Sequence, residues 1–149
     1  MIEETVLLVE DSQDDIDLTL HCFKKNNIRN AVIVMRDGVQ ALDYLYGANR
    51  TANQESTTLV LLDLKLPKVG GLEVLRRIRS EPATKRLPVV ILTSSKQERD
   101  RAEGYDIGAN SYICKPVDLE QFNEAVRQLG FYWLLLNESP PLAPGKPAL

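Results

Sequence analysis

Five short aliphatic runs recur along the chain, and the segments between them carry apolar residues at helical spacing. The runs lack the polar alternation of a strand with one face in water, so each predicts a strand that is buried on both faces. Strands that alternate with helices favour β-α-β units, which require a parallel sheet with right-handed crossovers. The five runs are Thr5–Val9, Ala31–Met35, residues 59–62, residues 89–92 and the weaker Ser111–Cys114.

Four of the intervening segments have a clear apolar face. Ser12, three residues before Asp15, is typical of a helix start, and Ile16, Leu20 and Phe23 then fall on one face of that helix. The same spacing of apolar residues predicts three more amphipathic helices. These contain residues 42–46, 72–78 and 119–129, the last of them running to Gly130.

Other segments lack such a face. Residues 96–106 are polar nearly all round, so a helix there would be weakly anchored and is a candidate moving part. Residues 47–58 are long and polar and predict a surface loop. We therefore expect one domain over residues 1–130 and an extension over residues 131–149, apolar at first and then proline-rich and extended or disordered.

Composition and charge narrow the class of protein. The chain has 149 residues, 44% of them hydrophobic, which is enough for one sizeable core and too little for a second full domain. A formal net charge of −3 gives no extended basic surface, so nucleic acid is not an expected partner. No run reaches the roughly 20 apolar residues of a membrane span, and the first residues do not resemble a signal peptide. The chain is therefore not expected to have a membrane partner. Its two cysteines form no CxxC pair and fit a reducing cytoplasm.

Polar residues of complementary types follow four of the predicted strands. Ligands of an open parallel sheet bind beyond the carboxyl ends of its strands, so these residues are candidates for a common site. Taken singly, each is also explained as a helix cap, a turn residue or a surface lysine. They are Glu10 and Asp11 after the first strand, Asp63 after the third, Thr93 and Ser94 after the fourth, and Lys115 after the fifth.

The chemistry of this set follows from its charge. Three carboxylates gathered at one edge repel one another and raise some of their own pKa values. Mg²⁺ binds one or two carboxylates together with water and phosphate oxygens, and with Lys115 it would neutralise all three negative charges. A carboxylate can act as a nucleophile toward a phosphoryl group, and the metal and the lysine would stabilise the transition state. The pattern therefore favours phosphoryl transfer to a carboxylate.

Four stretches make the chain resemble the receiver domain of two-component response regulators. They are VLLVEDSQDD, LVLLDLKLPKVGGLEVLRRIR, LPVVILTSS and GANSYICKPVD, and the resemblance extends over residues 4–129. It implies an α/β fold with a doubly wound, five-stranded parallel sheet in the flavodoxin-like order 2-1-3-4-5. It also implies a phosphorylated signalling protein in a phosphorelay, in place of an enzyme with an external substrate.

The resemblance implies a magnesium site. Asp63 matches the phospho-acceptor of receivers, and Glu10 and Asp11 match their acidic, Mg²⁺-binding pair. The backbone carbonyl of Lys65 would supply a third protein oxygen to the metal. The pair here is Glu-Asp where Asp-Asp is common, which matters little if Asp11 is the direct ligand.

The resemblance also implies a switch. Thr93 and Lys115 would each bond a phosphoryl oxygen, and Tyr112 stands where receivers carry a switching aromatic residue. On phosphorylation Thr93 would move toward the phosphate, and Tyr112 would turn into the space that it leaves; the alternative is a half-buried strand tyrosine. The bond between Lys115 and Pro116 is expected to be cis.

The end of the chain resembles that of stand-alone regulators paired with cyanobacterial phytochrome kinases. This implies a phytochrome-type histidine kinase as partner and a homodimer that uses the carboxyl-terminal extension. Phe131, Tyr132 and Trp133 are costly to leave in water, and aromatic clusters are enriched at interfaces. We expect the dimer interface to use residues 96–129 and Phe131–Leu136, and the alternative is that these aromatic residues fold back on their own domain.

Three competing functions are open to test. A Mg²⁺ phosphatase would place an acid two positions after its nucleophile, where this chain has Lys65. A pure interaction scaffold would have no use for three clustered carboxylates. A DNA-binding regulator would need a second helical unit after the last helix, and no such pattern is present. The phosphodonor must belong to another chain, because the only histidine, His21, lies within the first helix.

Overall fold

Five parallel strands form one sheet in the order β2-β1-β3-β4-β5. The computed structural model describes residues 4–141 of the chain. Its strands are β1 (Thr5–Val9), β2 (Ala31–Met35), β3 (Thr57–Leu62), β4 (Val89–Thr93) and β5 (Ser111–Cys114). The strand order confirms the predicted doubly wound fold. In that order β1 and β3 lie side by side near the centre of the sheet.

Helices cover both faces of this sheet. Successive strand residues point to opposite faces, so Val6 and Leu8 pack against one layer of helices and Leu7 and Val9 against the other. The helices are α1 (Gln13–Lys25), α2 (Gly38–Tyr46), α3 (Arg50–Ser56), α4 (Gly71–Ser80), α5 (Glu98–Ile107) and α6 (Leu119–Gly130). The first layer contains α1 and α6, and the second contains α2, α4 and α5. Within residues 4–141, no helix is long and apolar enough to cross a bilayer.

Burial explains the continuous aliphatic runs. Every residue of β1 and β4 is buried, because helices cover both of their faces. The edge strands β2 and β5 are only partly buried, which accounts for the weaker pattern of β5. Strands that are buried on both faces have no regular polar positions. The hydrophobic pattern of these strands therefore does not predict which helices pack on which face of the sheet.

Helix α5 is the least anchored of the helices that flank the sheet. Gly104 is its only buried residue, whereas α4 and α6 each bury four. The polar pattern of residues 96–106 therefore predicted its weak anchoring correctly. A side chain at position 104 would collide with Ile91, since a Cβ there would lie 2.9 Å from its Cδ1. Glycine lets α5 approach the sheet that it otherwise barely contacts.

The segment predicted as a surface loop over residues 47–58 lies at the surface, but it contains a short helix, so the prediction of a loop is wrong. Helix α3 buries none of its residues, which is why no apolar pattern marks it. Hydrogen bonds hold it instead: the Asn53 side chain donates to the Tyr44 carbonyl at 2.8 Å, and Gln54 donates to the Leu45 carbonyl at 2.7 Å. Side-chain bonds to a neighbouring helix end fix a segment that has no core of its own.

The run Phe131–Leu136 continues α6 as a π-helix. Trp133 and Leu134 pack against the core between the sheet, α1 and α6, as the folded-back alternative predicted. Phe131 and Tyr132 are each 51% exposed, and Leu135 is 70% exposed. The segment is therefore divided between a face on its own domain and a face in water. Residues 138–141 of the predicted proline-rich tail are exposed and have no regular secondary structure, and the rest of the tail lies outside the described residues.

Candidate functional site

The backbone ladder of the sheet continues one residue past three strands and places their polar residues at one edge. The amide of Glu10 donates to the Met35 carbonyl at 3.0 Å, and the amide of Asp63 donates to the Val9 carbonyl at 3.1 Å. The amide of Lys115 donates to the Thr93 carbonyl at 2.7 Å. Because these bonds fix each residue against its neighbouring strand, the side chains share the carboxyl edge of the sheet. We call Glu10, Asp11, Asp63 and Lys115 together the rim.

Three carboxylates of the rim form a group that could hold a metal ion. One oxygen each from Glu10, Asp11 and Asp63 lies within 4.8 Å of the others. Glu10 and Asp63 are 3% and 6% exposed, whereas Asp11 is open to solvent. Asp63 therefore points toward Asp11, as the predicted site requires. All-oxygen donors at this spacing, with one side open to water, fit a hard divalent cation that keeps part of its water shell.

Both oxygens of the Asp63 carboxylate accept hydrogen bonds. Oδ1 accepts from the Thr93 hydroxyl at 2.7 Å and from the Lys65 amide at 3.2 Å, and Oδ2 accepts from the Lys115 ammonium at 2.9 Å. Burial raises the pKa of Asp63, but the bonds from Thr93 and Lys115 outweigh burial and hold this pKa below its usual value. Asp63 is therefore an ionised carboxylate at neutral pH.

The ammonium of Lys115 lies among carboxylates, and the Lys115 side chain is only 9% exposed. It donates to Glu10, to Asp15 at 2.8 Å and to Asp63 at 2.9 Å. Burial lowers the pKa of Lys115, but the hydrogen bonds to Asp15, Glu10 and Asp63 reverse this and raise it above its usual value. Lys115 therefore stays charged throughout the physiological pH range.

Glu10 is the carboxyl group that the crowding disturbs most. Burial raises the pKa of Glu10 to about 7, against the opposing effect of its hydrogen bond from Lys115. The sequence predicted that repulsion would raise some pKa values at this edge, and Glu10 follows that prediction, with burial as the larger cause. A cation bound next to Glu10 would favour the charged form of this carboxyl group and so lower its pKa.

Asp15 is a residue of this site that the sequence did not single out. It lies in the first turn of α1, where the amide of Asp15 donates to the Ser12 hydroxyl at 3.3 Å. That bond fits the predicted helix start, and a capping role was a sufficient explanation for both residues. The carboxylate of Asp15 is free of this cap and reaches Lys115, which is 100 positions away. Only the tertiary structure shows that contact.

The predicted switch residue lies beside the rim. Tyr112 donates its hydroxyl to the Ser95 carbonyl at 3.0 Å, and the amide of Ser95 donates to the Thr93 hydroxyl oxygen at 3.4 Å. The ring of Tyr112 also faces Gly104 of α5, where a Cβ would lie 3.6 Å from the ring. A short chain of contacts thus joins Asp63 through Thr93 and Ser95 to Tyr112.

Gly71 brings the start of α4 close to the rim. Its amide donates to the Leu64 carbonyl at 3.0 Å. A Cβ at this position would lie 2.1 Å from the Asp63 carbonyl oxygen, so any side chain would push α4 from the residue that carries the site. The second glycine of the Gly-Gly pair is therefore required for a close approach of two backbone segments.

The predicted cis bond before Pro116 is wrong in this structure, because every peptide bond in residues 4–141 is trans. The Lys115 ammonium nevertheless reaches the rim. The ladder bond from Lys115 to Thr93 fixes its backbone, and the long side chain covers the remaining distance.

A doubly wound sheet whose carboxyl edge gathers acids, a threonine and a lysine defines the receiver class of α/β domain. The family described as "Response regulator receiver domain" matches residues 6–127, and the chain belongs to this family. It is therefore a signalling protein of two-component systems.

Two relatives, Rcp1 and RcpA, place the chain within that family. Response regulator Rcp1 of Synechocystis sp. (strain ATCC 27184 / PCC 6803 / Kazusa) is 37% identical over 131 residues, which cover 88% of this chain and 89% of Rcp1. The phosphorylated cyanobacterial phytochrome response regulator RcpA has a similar structure, with a TM-score of 0.85 and 37% identity over 93% of this chain and 99% of that chain. The Mn²⁺-bound form of Rcp1 gives a TM-score of 0.84 and 36% identity, with the same coverage. This chain is thus a receiver domain homologous to phytochrome response regulators.

Proposed function

We propose that this chain accepts a phosphoryl group on Asp63 and that phosphorylation changes a surface for protein interaction. One observation carries the proposal: the two oxygens of Asp63 are held by Thr93 and Lys115, while the same carboxylate belongs to the acidic group. A carboxylate that is ionised, anchored and next to a possible cation is ready to act as a nucleophile.

The transfer needs few atoms to move. An oxygen of the Asp63 carboxylate attacks phosphorus, and the bond from phosphorus to the donor breaks with its electron pair going to the leaving group. That leaving group is an imidazole nitrogen of a kinase phosphohistidine, or acetate when acetyl phosphate is the donor. The product is an aspartyl phosphate, and Thr93 and Lys115, which now bond the Asp63 carboxylate, would bond two of its phosphoryl oxygens.

The residues that would hold Mg²⁺ are Glu10, Asp11 and Asp63, together with the backbone carbonyl of Lys65. Bound Mg²⁺ would neutralise charge that develops on the phosphoryl oxygens. The Mn²⁺-bound form of Rcp1 supports a divalent cation in a homologous receiver. Lys115 would supply the remaining positive charge, since its ammonium lies 2.9 Å from Oδ2 of Asp63.

The switch that we propose runs from Thr93 to Tyr112. When the Thr93 hydroxyl leaves Asp63 for a phosphoryl oxygen, the amide of Ser95 loses its present partner. Tyr112 donates to the carbonyl of the same Ser95, so its side chain follows the loop before α5. The weak anchoring of α5 lets this helix respond to a small displacement. The surface of α5 and β5 would then differ between the two states.

The donor that we propose is a histidine kinase, of the phytochrome type. Membership of the receiver family supports the kinase, and the similarity to RcpA, a cyanobacterial phytochrome response regulator, supports the photoreceptor type. The exchange would take place in the cytoplasm. We expect no turnover of external phosphate esters, because Lys65 stands where an aspartyl-phosphate phosphatase needs a general acid.

We also propose a homodimer that uses the C-terminal π-helix. Phe131 and Tyr132 present half of their surface to water, although both are large apolar side chains. Tyr132 stands edge-on to Trp133 with ring centroids 5.0 Å apart, so the partly buried Trp133 supports the exposed ring from below. A preformed aromatic surface of this kind favours association. Residues 96–129 would complete the interface.

The experiment is to mix the protein with acetyl phosphate, with and without Mg²⁺, and to separate the phosphorylated form. We expect an adduct of one phosphoryl group that needs Mg²⁺, is lost in alkali and is absent from Asp63→Asn. Asp106→Asn, which removes an exposed carboxylate on α5, is the matched control and should be phosphorylated as the unaltered protein is. An adduct that persists in Asp63→Asn, or none with acetyl phosphate and with a panel of histidine kinases, would overturn the proposal.

A further inference from the structure

Lys115 bonds three carboxylates in this structure, and phosphoryl transfer would disturb some of these contacts. An ammonium group carries three hydrogens, and in this structure they go to Glu10, Asp15 and Asp63. Two of these partners, Glu10 and Asp63, belong to the acidic group that could hold a cation. Asp15 does not belong to that group, although its carboxylate lies 2.8 Å from the same ammonium.

The three contacts therefore differ in what happens to them when the site is filled. A cation at the acidic group draws on the oxygens of Glu10 and Asp63 and repels the ammonium from both. A phosphoryl group on Asp63 takes one of its oxygens outright. Asp15 is engaged by neither, so its contact with Lys115 is the one that survives both events.

The backbone of Asp15 is fixed at the rim independently of its side chain. Its amide donates to the Ser12 hydroxyl at 3.3 Å, and its carbonyl accepts from the Thr19 hydroxyl at 2.7 Å. Thr19 is buried, which ties this turn of α1 to the core. The Asp15 side chain is 35% exposed, so its carboxylate is partly solvated.

We propose that Asp15 is a positioning residue for phosphoryl transfer: it holds one hydrogen of the Lys115 ammonium and keeps this ammonium at the rim when the oxygens of Glu10 and Asp63 are taken. The inference rests on the proposed function and adds a fourth carboxylate to it. Asp15 touches neither donor nor acceptor and acts through Lys115 alone. An unrestrained lysine side chain would spread over many rotamers and would meet the phosphoryl group less often.

The first test observes the ammonium itself, in the full chain with Mg²⁺, the condition in which the cation takes the oxygens of Glu10 and Asp63. Lysine NH₃⁺ groups give ¹H–¹⁵N signals when hydrogen bonds slow their exchange with water, and the Lys115 signal is assigned by its loss in Lys115→Arg. We expect the signal in the unaltered protein, its broadening in Asp15→Asn and its return in Asp15→Glu. Asp14→Asn is the matched control, because Asp14 lies in the same turn of α1 and is exposed.

The second test measures the rate of adduct formation with acetyl phosphate and Mg²⁺. Asp15→Asn should lower this rate about three- to tenfold, the range for losing one partly solvated, charge-assisted contact. Asp14→Asn should leave the rate unchanged. Because the Ser12 cap uses the backbone of Asp15, the fold should survive both substitutions.

A Lys115 signal and a rate that both stay unchanged in Asp15→Asn would overturn the inference. A faster rate would overturn it as well, since it would show that the charge of Asp15 only opposes the phosphoryl group. If the unaltered protein forms no adduct at all, the proposed function fails, and the ammonium signal still decides whether Asp15 holds Lys115.

Discussion

The rim and the C-terminal π-helix depart from the usual distribution of polarity in opposite directions. The rim buries charged groups: the side chains of Glu10, Asp63 and Lys115 are each less than a tenth exposed. The π-helix Phe131–Leu136 does the reverse and leaves half or more of the surface of four of its six side chains in water. A buried charge and an exposed apolar surface both cost free energy in the isolated domain.

The two regions differ in what relieves that cost. Within the rim the described residues satisfy one another, since no buried side-chain nitrogen or oxygen among residues 4–141 lacks a hydrogen-bond partner. The carboxylates still outnumber the ammonium, so the relief is partial and a bound cation would complete it. The exposed side chains of the π-helix have no such internal relief. The comparison supports two of our proposals: that the rim binds a small charged ligand, and that the π-helix packs against another protein surface.

The largest effect on stability is expected from Lys115→Met. The variant leaves Glu10 and Asp63 buried without their common cation, which should lower the free energy of unfolding by about 3 kcal/mol in the absence of metal. Mg²⁺ should restore part of this loss, and more of it than it adds to the unaltered protein. Denaturant unfolding with EDTA and with Mg²⁺ measures the loss and its recovery. Equal stabilisation of the two proteins by Mg²⁺ would contradict the view that the buried charges of the rim are relieved by a cation.

Trp133→Ala is expected to have the next largest effect. Trp133 packs against the core but is only partly buried, so its truncation should cost about 2 kcal/mol, roughly half the value for a fully buried tryptophan. The same thermal or denaturant unfolding should show the loss without any dependence on Mg²⁺. A loss below the error of the measurement would mean that the whole π-helix is detached from the domain.

The pH dependence of metal binding gives a sharper view of the rim. The pKa of Glu10 is raised to about 7, so below that pH Glu10 is mostly protonated, and a cation must displace the proton. Mg²⁺ affinity should therefore rise up to about tenfold per pH unit as the pH increases toward 7, and should level off above it. Calorimetric titration at several pH values measures the slope. In Glu10→Gln the slope should flatten, and a slope that persists there would assign the proton to another group.

The smallest effect on stability is expected from replacing both exposed aromatic residues. Phe131→Ser with Tyr132→Ser removes side chains that are half in water, so the free energy of unfolding of the monomer should change by about 0.5 kcal/mol or less. Self-association should nevertheless be lost. Sedimentation measures the mass of each protein with and without phosphorylation. The unaltered protein, this double variant and Trp133→Ala are compared, and an unchanged mass in the double variant would count against the proposed interface.

Much of the fold could be predicted because buried parallel strands leave a strong pattern. The aliphatic runs located all five strands, and the polar residues after them located the rim. Helix α3 was missed because hydrogen bonds from Asn53 and Gln54 hold it, and such contacts leave no periodicity. Asp15 was missed because a capping pattern already explained its position, whereas its contact with Lys115 is tertiary. In the π-helix, Trp133 packs against the core and Phe131 is half exposed. Which of these aromatic residues faces the core could not be predicted from the composition of the segment.

The most direct test of the account is to locate the phosphoryl group at the level of the residue. Borohydride reduces an acyl phosphate of aspartate to homoserine, which mass spectrometry of peptides identifies by position. After treatment with acetyl phosphate and Mg²⁺, we predict homoserine at position 63 alone. Reduction at Asp11 or Asp15 instead, or no reduced residue in a protein that carries phosphate, would contradict the assignment of Asp63 as the acceptor.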